Sequence, residues 1–213
     1  MKPDYSLYLV TDRMLMRTKT LGEAVEQAVI GGCTMVQLRE KEISSLDFYV
    51  LALEMKKITD RYSIPLIIND RIDIAMAVGA TGVHIGQKDI PADIARKLIG
   101  KNMLLGVSTA SVAEAVNAAK AGADYLGVGA MFSTGTKTDA SHVSMEELGG
   151  IRRTVDIPIV VIGGISKENA MLFQPMGIDG LAVVSAVIAQ PDIKKSAADL
   201  KSLFFGKEAV NEL

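Results

Sequence analysis

Tryptophan is absent from this 213-residue sequence, cysteine occurs once and aromatic residues make up only 5%. The lone Cys33 rules out an internal disulfide, so we expect the chain to work in the reducing cytoplasm. No spacing of cysteine and histidine fits a zinc site, and no P-loop or glycine-rich dinucleotide motif is present. Disulfide scaffolds, zinc proteins and the common nucleotide-binding folds are therefore excluded.

A strong charge of one sign and long apolar runs are also lacking. The formal net charge is −2, so no basic surface attracts nucleic acid or an acidic membrane. The segment from Met1 to Asp12 does not resemble a signal peptide. No apolar run approaches the roughly 18 residues that cross a bilayer. We predict no nucleic-acid or membrane partner, and the sequence leaves open whether the chain forms a homo-oligomer.

Eight short apolar runs alternate with segments of helical character along the chain. The runs show no alternation of apolar and polar residues, which is typical of parallel strands covered on both faces. Right-handed crossovers would close eight such units into a barrel, so we predict a single (β/α)8 TIM barrel over residues 1–213. A doubly wound open sheet is the alternative that periodicity does not exclude. The predicted strands are Ser6–Thr11, Met35–Leu38, Pro65–Asn69, Gly82–Ile85, Leu104–Ser108, Tyr125–Val128, Pro158–Ile162 and Gly180–Val184.

Helix starts and faces can also be predicted. Ser111 and Ser144 each stand three residues before a glutamate, which is the spacing of a capping box. The segment Leu46–Arg61 has helical periodicity, and this predicts an amphipathic helix. Its predicted apolar stripe consists of Leu46, Tyr49, Val50 and Leu53.

Uncommon polar residues follow the predicted strands. The loops after the strands of a (β/α)8 barrel meet at one rim, where the function of this fold is located. The opposite loops carry mainly glycine, alanine and turn residues, so the asymmetry predicts a site. Its candidate side chains are Gln37, Arg39, Lys41, Asn69, Asp70, Asp89, Ser108, Thr134, Thr136 and Lys137.

The loops after the last two strands predict a phosphate site. Gly163 and Gly164 follow strand seven, and Val184 and Ser185 follow strand eight. Glycines let the backbone approach an anion, and amides at a helix start donate to it. This is the usual phosphate position of the fold. The alternative is that the two glycines only serve a tight turn.

Asp70 and Asp89 follow neighbouring strands, so their carboxylates could share one Mg²⁺ with water and phosphate oxygens completing its shell. Helix N-caps are the alternative for both residues. Arg39, Lys41 and Lys137 would add positive charge beside the cation. A pyrophosphate leaving group is the natural counterpart of such a cluster.

No nucleophile stands beside a base in this sequence. His84 lies within a predicted strand and is expected to be a hydrogen-bonded interior residue or a pocket wall. His142 is expected to be exposed, and Cys33 to be packed in a helix-to-strand turn. The predicted site therefore works by electrostatics and positioning.

Six segments occur together in the order and spacing of a known family. They are Tyr8–Asp12, Val36–Lys41, Ile68–Arg71, Gly82–Asp89, Gly129–Thr138 and Ile162–Ile165. With them the sequence resembles the thiamine phosphate synthase family along its whole length. Gly129-Ala130-Met131 departs from the family's frequent Gly-Pro at that place, without removing a ligand.

The resemblance implies a Mg²⁺-dependent alkyl transferase. Such an enzyme joins hydroxymethylpyrimidine diphosphate to a thiazole phosphate through a dissociative step and releases pyrophosphate. The residues implied for the pyrimidine diphosphate are Gln37, Arg39, Lys41, Asn69, Ser108 and Lys137, of which Arg39, Lys41 and Lys137 are the catalytic candidates. Those implied for the thiazole phosphate are Thr134, Thr136, Gly164, Val184 and Ser185. Those implied for Mg²⁺ are Asp70 and Asp89.

Three other functions stay open on the same residues. A thiazole tautomerase-like barrel is the nearest, although that branch tends to lack the segments ending here at Asp89 and Lys137. A phosphosugar isomerase or aldolase barrel would need an acid/base or Schiff-base residue that the sequence does not offer. A non-catalytic phosphate-binding regulator is the third.

Overall fold

The computed structural model describes residues 3–133 and 142–206. Within these residues eight parallel strands form a closed barrel in chain order, and β8 pairs with β1. The (β/α)8 barrel predicted from the sequence is confirmed, and the open sheet was the wrong alternative. Thr134, Thr136 and Lys137 lie outside the described residues.

The strands agree with the predicted ones to within one residue at each end. They are β1 Leu7–Val10, β2 Met35–Leu38, β3 Leu66–Asn69, β4 Gly82–Ile85, β5 Leu104–Thr109, β6 Tyr125–Val128, β7 Ile159–Val161 and β8 Gly180–Val183.

Helical elements follow the strands. They are α1 Leu21–Ile30, α2 Ser45–Arg61, α3 Ile72–Ala77, α4 Ala92–Ile99, α5 Val112–Lys120, α6 Met145–Thr154, a 3-10 segment Ala170–Met176, α7 Ser185–Ile188 and α8 Ile193–Phe205. None of the helices in the described ranges is long and apolar enough to cross a membrane.

Each strand is buried on both faces, which explains its uninterrupted apolar sequence. In β1, Leu7 and Leu9 belong to the large cluster that includes the helices, whereas Tyr8 and Val10 belong to a second, interior cluster. The strand register places polar residues at neighbouring positions, with Asn69 opposite His84. The barrel interior is therefore apolar at one end and polar near the carboxyl ends of the strands.

The apolar stripe predicted on α2 is right for Tyr49 and Leu53, which pack partly buried against the core, and wrong for its other two residues. Leu46 and Val50 are 69% and 57% exposed. The helix buries a different row at spacings of four, three and four residues, in which a small alanine allows close approach to the barrel. The row includes a threonine whose hydroxyl donates to the carbonyl of Lys56, so it is buried without an unpaired group. The buried residues of α2 are Phe48, Ala52, Met55 and Thr59.

The predicted starts of α5 and α6 are confirmed. The side chains of Ser111 and Ser144 accept hydrogen bonds from the backbone amides of Glu114 and Glu147. The reciprocal half of the predicted capping boxes is wrong. Glu114 accepts from the amide of Ala110, which precedes the cap of α5, and Glu147 accepts from the amide of Val112 at the start of α5. Neither amide is that of the serine that caps the glutamate's own helix.

Candidate active site

A cavity opens at the carboxyl ends of the strands, at the rim where the sequence predicts function. It brings together residues from loops and strand ends that are far apart in the sequence. The predicted site residues that line it are Gln37, Arg39, Asn69, Ser108, Gly164, Val184 and Ser185. The cavity therefore lies at the rim that the sequence predicts.

The floor of the cavity is a row of hydrogen-bonded side chains. The Gln37 amide nitrogen donates to the Tyr8 hydroxyl over 2.8 Å, and the hydroxyls of Tyr8 and Tyr125 are 2.8 Å apart. The Tyr125 hydroxyl lies 3.1 Å from Nδ1 of His84, and Nε2 of His84 lies 2.9 Å from Oγ of Ser108. Burial raises the pKa values of Tyr8 and Tyr125 well above the ordinary tyrosine value, so both are neutral phenols.

Two glycines make room for this row. A Cβ at Gly106 would collide with the Tyr125 ring and with Nδ1 of His84, and a Cβ at Gly127 would lie 3.0 Å from Cε1 of His84. Any larger residue on these inward positions would displace the histidine. The prediction of His84 as a hydrogen-bonded interior residue and pocket wall is therefore confirmed in its position.

Asn69 offers an unused donor to the cavity. Its side chain is 7% exposed, and its amide nitrogen Nδ2 has no hydrogen-bond partner among the described residues. A buried donor without a partner costs free energy, and such groups in native proteins are usually satisfied by a ligand or water. A ligand oxygen in the cavity would satisfy it.

Asp70 and Asp89 come together beside the cavity, as predicted for a cation site. Nζ of Lys41 donates to Oδ2 of Asp70 over 3.2 Å, and the Gly86 amide donates to Oδ2 of Asp89 over 2.7 Å. Partial burial of the carboxyl, and then its hydrogen bond to Asp70 and the charge of that residue, raise the pKa of Asp89 against the opposing effects of Gly86 and Lys41. A cation between the two carboxylates would remove their repulsion.

The donor set suits Mg²⁺. Within residues 3–133 and 142–206 no three histidine, cysteine, aspartate or glutamate side chains gather as metal ligands. Two carboxylates alone do not make a protein cage, but Mg²⁺ is commonly held by one or two carboxylates with phosphate and water oxygens. Asp70 also has a left-handed backbone, with φ of 61°, a conformation that aspartate tolerates better than most residues. This turn places the carboxylate directly after Asn69, the residue that faces the cavity.

An ion pair between two loops holds the cationic segment after β2, and sequence reasoning missed it. The Arg13 guanidinium donates twice to the Glu40 carboxylate, over 2.7 and 2.8 Å. The Arg39 amide also donates to the buried hydroxyl oxygen of Thr11 over 3.0 Å. The loop after β1 therefore fixes Arg39 at the cavity and Lys41 at Asp70.

The glycine loop after β7 forms a turn at the cavity, and its role in phosphate binding stays a prediction. Gly163 and Gly164 have φ values of 97° and 65°, which favour glycine, so they do serve a turn. Both also line the cavity opposite Ser185. The turn is fastened by Asn169, whose amide donates to the Gly164 carbonyl over 2.8 Å.

The remaining sequence predictions concern two residues away from the cavity and three that the structure does not describe. His142 is exposed and Cys33 is buried, both as expected. Thr134, Thr136 and Lys137 lie outside the described residues, so their roles stay predictions. Tyr8 and Tyr125 were missed as site residues, although two tyrosines on inward strand positions were a usable signal.

Residues 7–187 match the family model described as thiamine monophosphate synthase. The chain belongs to this family. It is 65% identical over 206 residues to a thiamine-phosphate synthase of Clostridium beijerinckii, with 96% of this chain and 99% of the relative covered. It is 63% identical to that of Ruminiclostridium cellulolyticum, with 97% and 98% covered.

A solved structure from the same family supports the fold. The thiamine phosphate pyrophosphorylase of Pyrococcus furiosus superposes with a TM-score of 0.88 at 38% identity, and 98% of each chain is covered. Members of the family are transferases, and this chain is accordingly an enzyme of that class.

Proposed function

We propose that this enzyme transfers the 4-amino-2-methylpyrimidin-5-ylmethyl group from its diphosphate to a thiazole phosphate. The products are thiamine phosphate and pyrophosphate. The observation that carries the proposal is the position of the Asp70–Asp89 carboxylate pair directly beside a cavity into which Asn69 presents an unpaired donor. Carboxylates for a cation and donors for phosphate oxygens are what a diphosphate substrate requires.

The pyrimidine diphosphate would lie against the strands β2 to β5. Gln37 and Ser108 at the cavity floor would bind its ring side, and Asn69 would donate to the diphosphate. Arg39 and Lys41 would neutralise the charge that develops on the diphosphate when its bond to carbon breaks. Lys137 is proposed for the same task from the sequence resemblance.

Mg²⁺ fits between Asp70 and Asp89 for the reasons given above. When bound it would supply positive charge to the leaving diphosphate. Lys41, which contacts Asp70, would then lie beside the same phosphate oxygens and hold them in place.

The thiazole phosphate would occupy the other side of the cavity. Gly164 and the start of the segment Val184–Ser185 would present backbone amides to its phosphate. Thr134 and Thr136 would contact the thiazole substrate. The two substrates would thus meet above the floor, with the thiazole nitrogen directed at the pyrimidinylmethyl carbon.

The proposed reaction needs no protein base. The carbon–oxygen bond to diphosphate breaks first, and the ring amino group stabilises the resulting pyrimidinylmethyl cation. The thiazole nitrogen then donates its lone pair to form the new carbon–nitrogen bond. That nitrogen carries no proton to be removed, so the two carboxylates of the proposed site are left to hold the cation and need not act as a base.

The direct test is to incubate the protein with both substrates and Mg²⁺ and to measure pyrophosphate and thiamine phosphate. We expect both products in equal amounts. Lys137→Ala should lower turnover by about 10²–10³-fold, the usual loss for an electrostatic donor. The exposed Lys101, at the opposite end of the barrel, provides the control Lys101→Ala, which should retain normal turnover.

The same assay separates the rival functions. Isomerisation of a thiazole phosphate without release of pyrophosphate would indicate a tautomerase-like barrel. Ligand binding without any product would indicate a phosphate-binding regulator. Either result would refute the proposed transfer.

A further inference from the structure

We propose that the buried row Gln37–Tyr8–Tyr125–His84–Ser108, called the relay below, donates its hydrogen bonds in one fixed direction along its first three contacts. The relay would thereby present an acceptor at Gln37 and a hydroxyl donor at Ser108 to the cavity. It would make His84, Tyr8 and Tyr125 positioning residues that select the pyrimidine. This deepens the proposed function and rests on it for the identity of the ligand.

The direction is set at the Gln37 end. Its amide nitrogen can only donate, so the Tyr8 hydroxyl oxygen accepts that hydrogen bond. Tyr8 is buried, and the partner for its own proton among the described residues is the Tyr125 hydroxyl, 2.8 Å away. Tyr8 therefore donates to Tyr125.

The next contact determines which ring nitrogen of His84 carries the hydrogen. Since Tyr125 accepts from Tyr8, its proton goes to the remaining neighbour in the relay, Nδ1 of His84, at 3.1 Å. A ring nitrogen that accepts a proton in a hydrogen bond carries none of its own. The neutral ring then has its hydrogen on Nε2, which donates to Oγ of Ser108 over 2.9 Å.

The two ends of the relay line the cavity. At one end an N–H of Gln37 is directed at Tyr8, and the amide oxygen is the acceptor that this side chain offers. At the other end Ser108 accepts from His84, so its hydroxyl proton is available to a ligand. If every hydrogen bond ran the opposite way, Gln37 would present a donor to the cavity and Ser108 an acceptor. This follows because a hydroxyl that accepts from one neighbour donates its proton to the other.

The surrounding residues fix the positions of the rings in the relay. Gly106 and Gly127 leave room for the histidine and tyrosine rings in the observed placement, as described above. Tyr5 packs against Tyr125 with ring centroids 5.2 Å apart and the rings tilted by 44°, and its hydroxyl makes no hydrogen bond with the described residues. Because burial opposes their ionisation, Tyr8 and Tyr125 both keep a hydroxyl proton to donate along the relay.

A ligand that fits this floor carries a donor on one side of an aromatic ring and an acceptor on the other. A pyrimidine with an exocyclic amino group has that arrangement, since the amino group donates and the ring nitrogens accept. The 4-oxo analogue places an acceptor against the Gln37 oxygen. A site built for one polarity rejects the other because buried polar groups are left unpaired.

The first measurement is the tautomer of His84 in the ligand-free wild-type protein by ¹⁵N NMR. The chain has two histidines, and His142→Gln assigns the spectrum by removing the exposed one. We expect a neutral His84 ring with its hydrogen on Nε2. A ring protonated on Nδ1, or charged at neutral pH, would overturn the proposed direction. This result does not depend on whether the proposed reaction occurs.

The second measurement is the preference for 4-amino over 4-oxo pyrimidine diphosphate, taken as the ratio of dissociation constants with Mg²⁺ present. In Tyr8→Phe the Gln37 amide loses the partner that orients it, so the preference should fall about tenfold or more. Tyr125→Phe should have a similar effect. The double variant should lose little more than either single one, because both remove the same chain.

Tyr5→Phe is the matched control, since it removes one hydroxyl from the same aromatic cluster without touching the relay. Its ligand preference should equal that of the wild type. Equal preferences in Tyr5→Phe, Tyr8→Phe and Tyr125→Phe would refute the selection by the relay. A wild type that keeps the amino preference and the Nε2 tautomer but forms no product would refute the proposed transfer and leave the relay standing.

Discussion

Single atoms decide the shape of the cavity floor, and Gly106 is the sharpest case. The Tyr125 and His84 rings occupy the space that a side chain at this position would need. We expect Gly106→Ala to lower the free energy of unfolding by about 1–3 kcal/mol through overpacking. The variant should also lose activity, because the ring displacement moves Ser108. Urea unfolding and the pyrophosphate assay measure the two effects.

Gly149 provides the control for this change. It lies in α6, where a Cβ would be 3.3 Å from the flexible end of Arg153 and 3.5 Å from that of Met176. Gly149→Ala should raise the free energy of unfolding by about 0.5–1 kcal/mol, because alanine loses less backbone entropy in a helix. Destabilisation by both variants would show that the effect at Gly106 is not specific to the floor.

At this scale the sequence predicted part of the site. Gln37, Asn69 and Ser108 were identified because polar residues at strand ends are unusual in an apolar run. Tyr8 and Tyr125 were not, because tyrosine is an ordinary strand residue. They are 117 positions apart, and only barrel closure brings their hydroxyls together.

Among the elements, α2 shows that helical periodicity alone does not identify the face of a helix that is buried. Phe48 is 2% exposed, whereas Leu46 on the same helix is 69% exposed. Phe48→Ala should therefore cost about 3–5 kcal/mol of unfolding free energy. Leu46→Ala should change it by no more than about 0.5 kcal/mol. Chemical denaturation of the two variants tests the assignment, and similar losses would restore the stripe predicted from the sequence.

The strands were easier to predict than this helix face. A strand buried on both sides must be apolar throughout, so its limits follow from where polar residues begin. A helix with two overlapping apolar rows can turn either one inward. The buried row of α2 includes Ala52 and Thr59, which a search for large apolar residues at helical spacing does not select.

For the molecule as a whole, ligand binding should appear as a gain in stability. In the presence of Mg²⁺, pyrophosphate at about 100 times its dissociation constant would add about 2.7 kcal/mol. For a chain of this length that raises Tm by about 5–10 °C. Thermal scans with each ligand alone and with both test this, and a wild type without any combined shift would contradict the proposed cation site.

Asp89→Asn is the variant for this measurement. It should lose the Mg²⁺-dependent part of the shift, while the metal-free variant should be at least as stable as the wild type at neutral pH. The sign follows from the raised pKa of Asp89, since a raised carboxyl pKa favours the folded state at low pH and that contribution is lost as the pH rises. Protons should also compete with Mg²⁺, so the wild-type shift should shrink on acidification.

Asn69 and Asp70 are consecutive, and this has a consequence for tolerance to motion. In the proposed function one residue would bind the substrate and the next would bind the cation, with a single peptide unit between them. When β3 drifts, both groups travel together, so the spacing between cation and substrate is preserved even when their distance to the rest of the barrel changes. The peptide unit between Asn69 and Asp70 limits the distance between the two side chains. Two residues on separate loops would need each loop to be held in place to achieve the same.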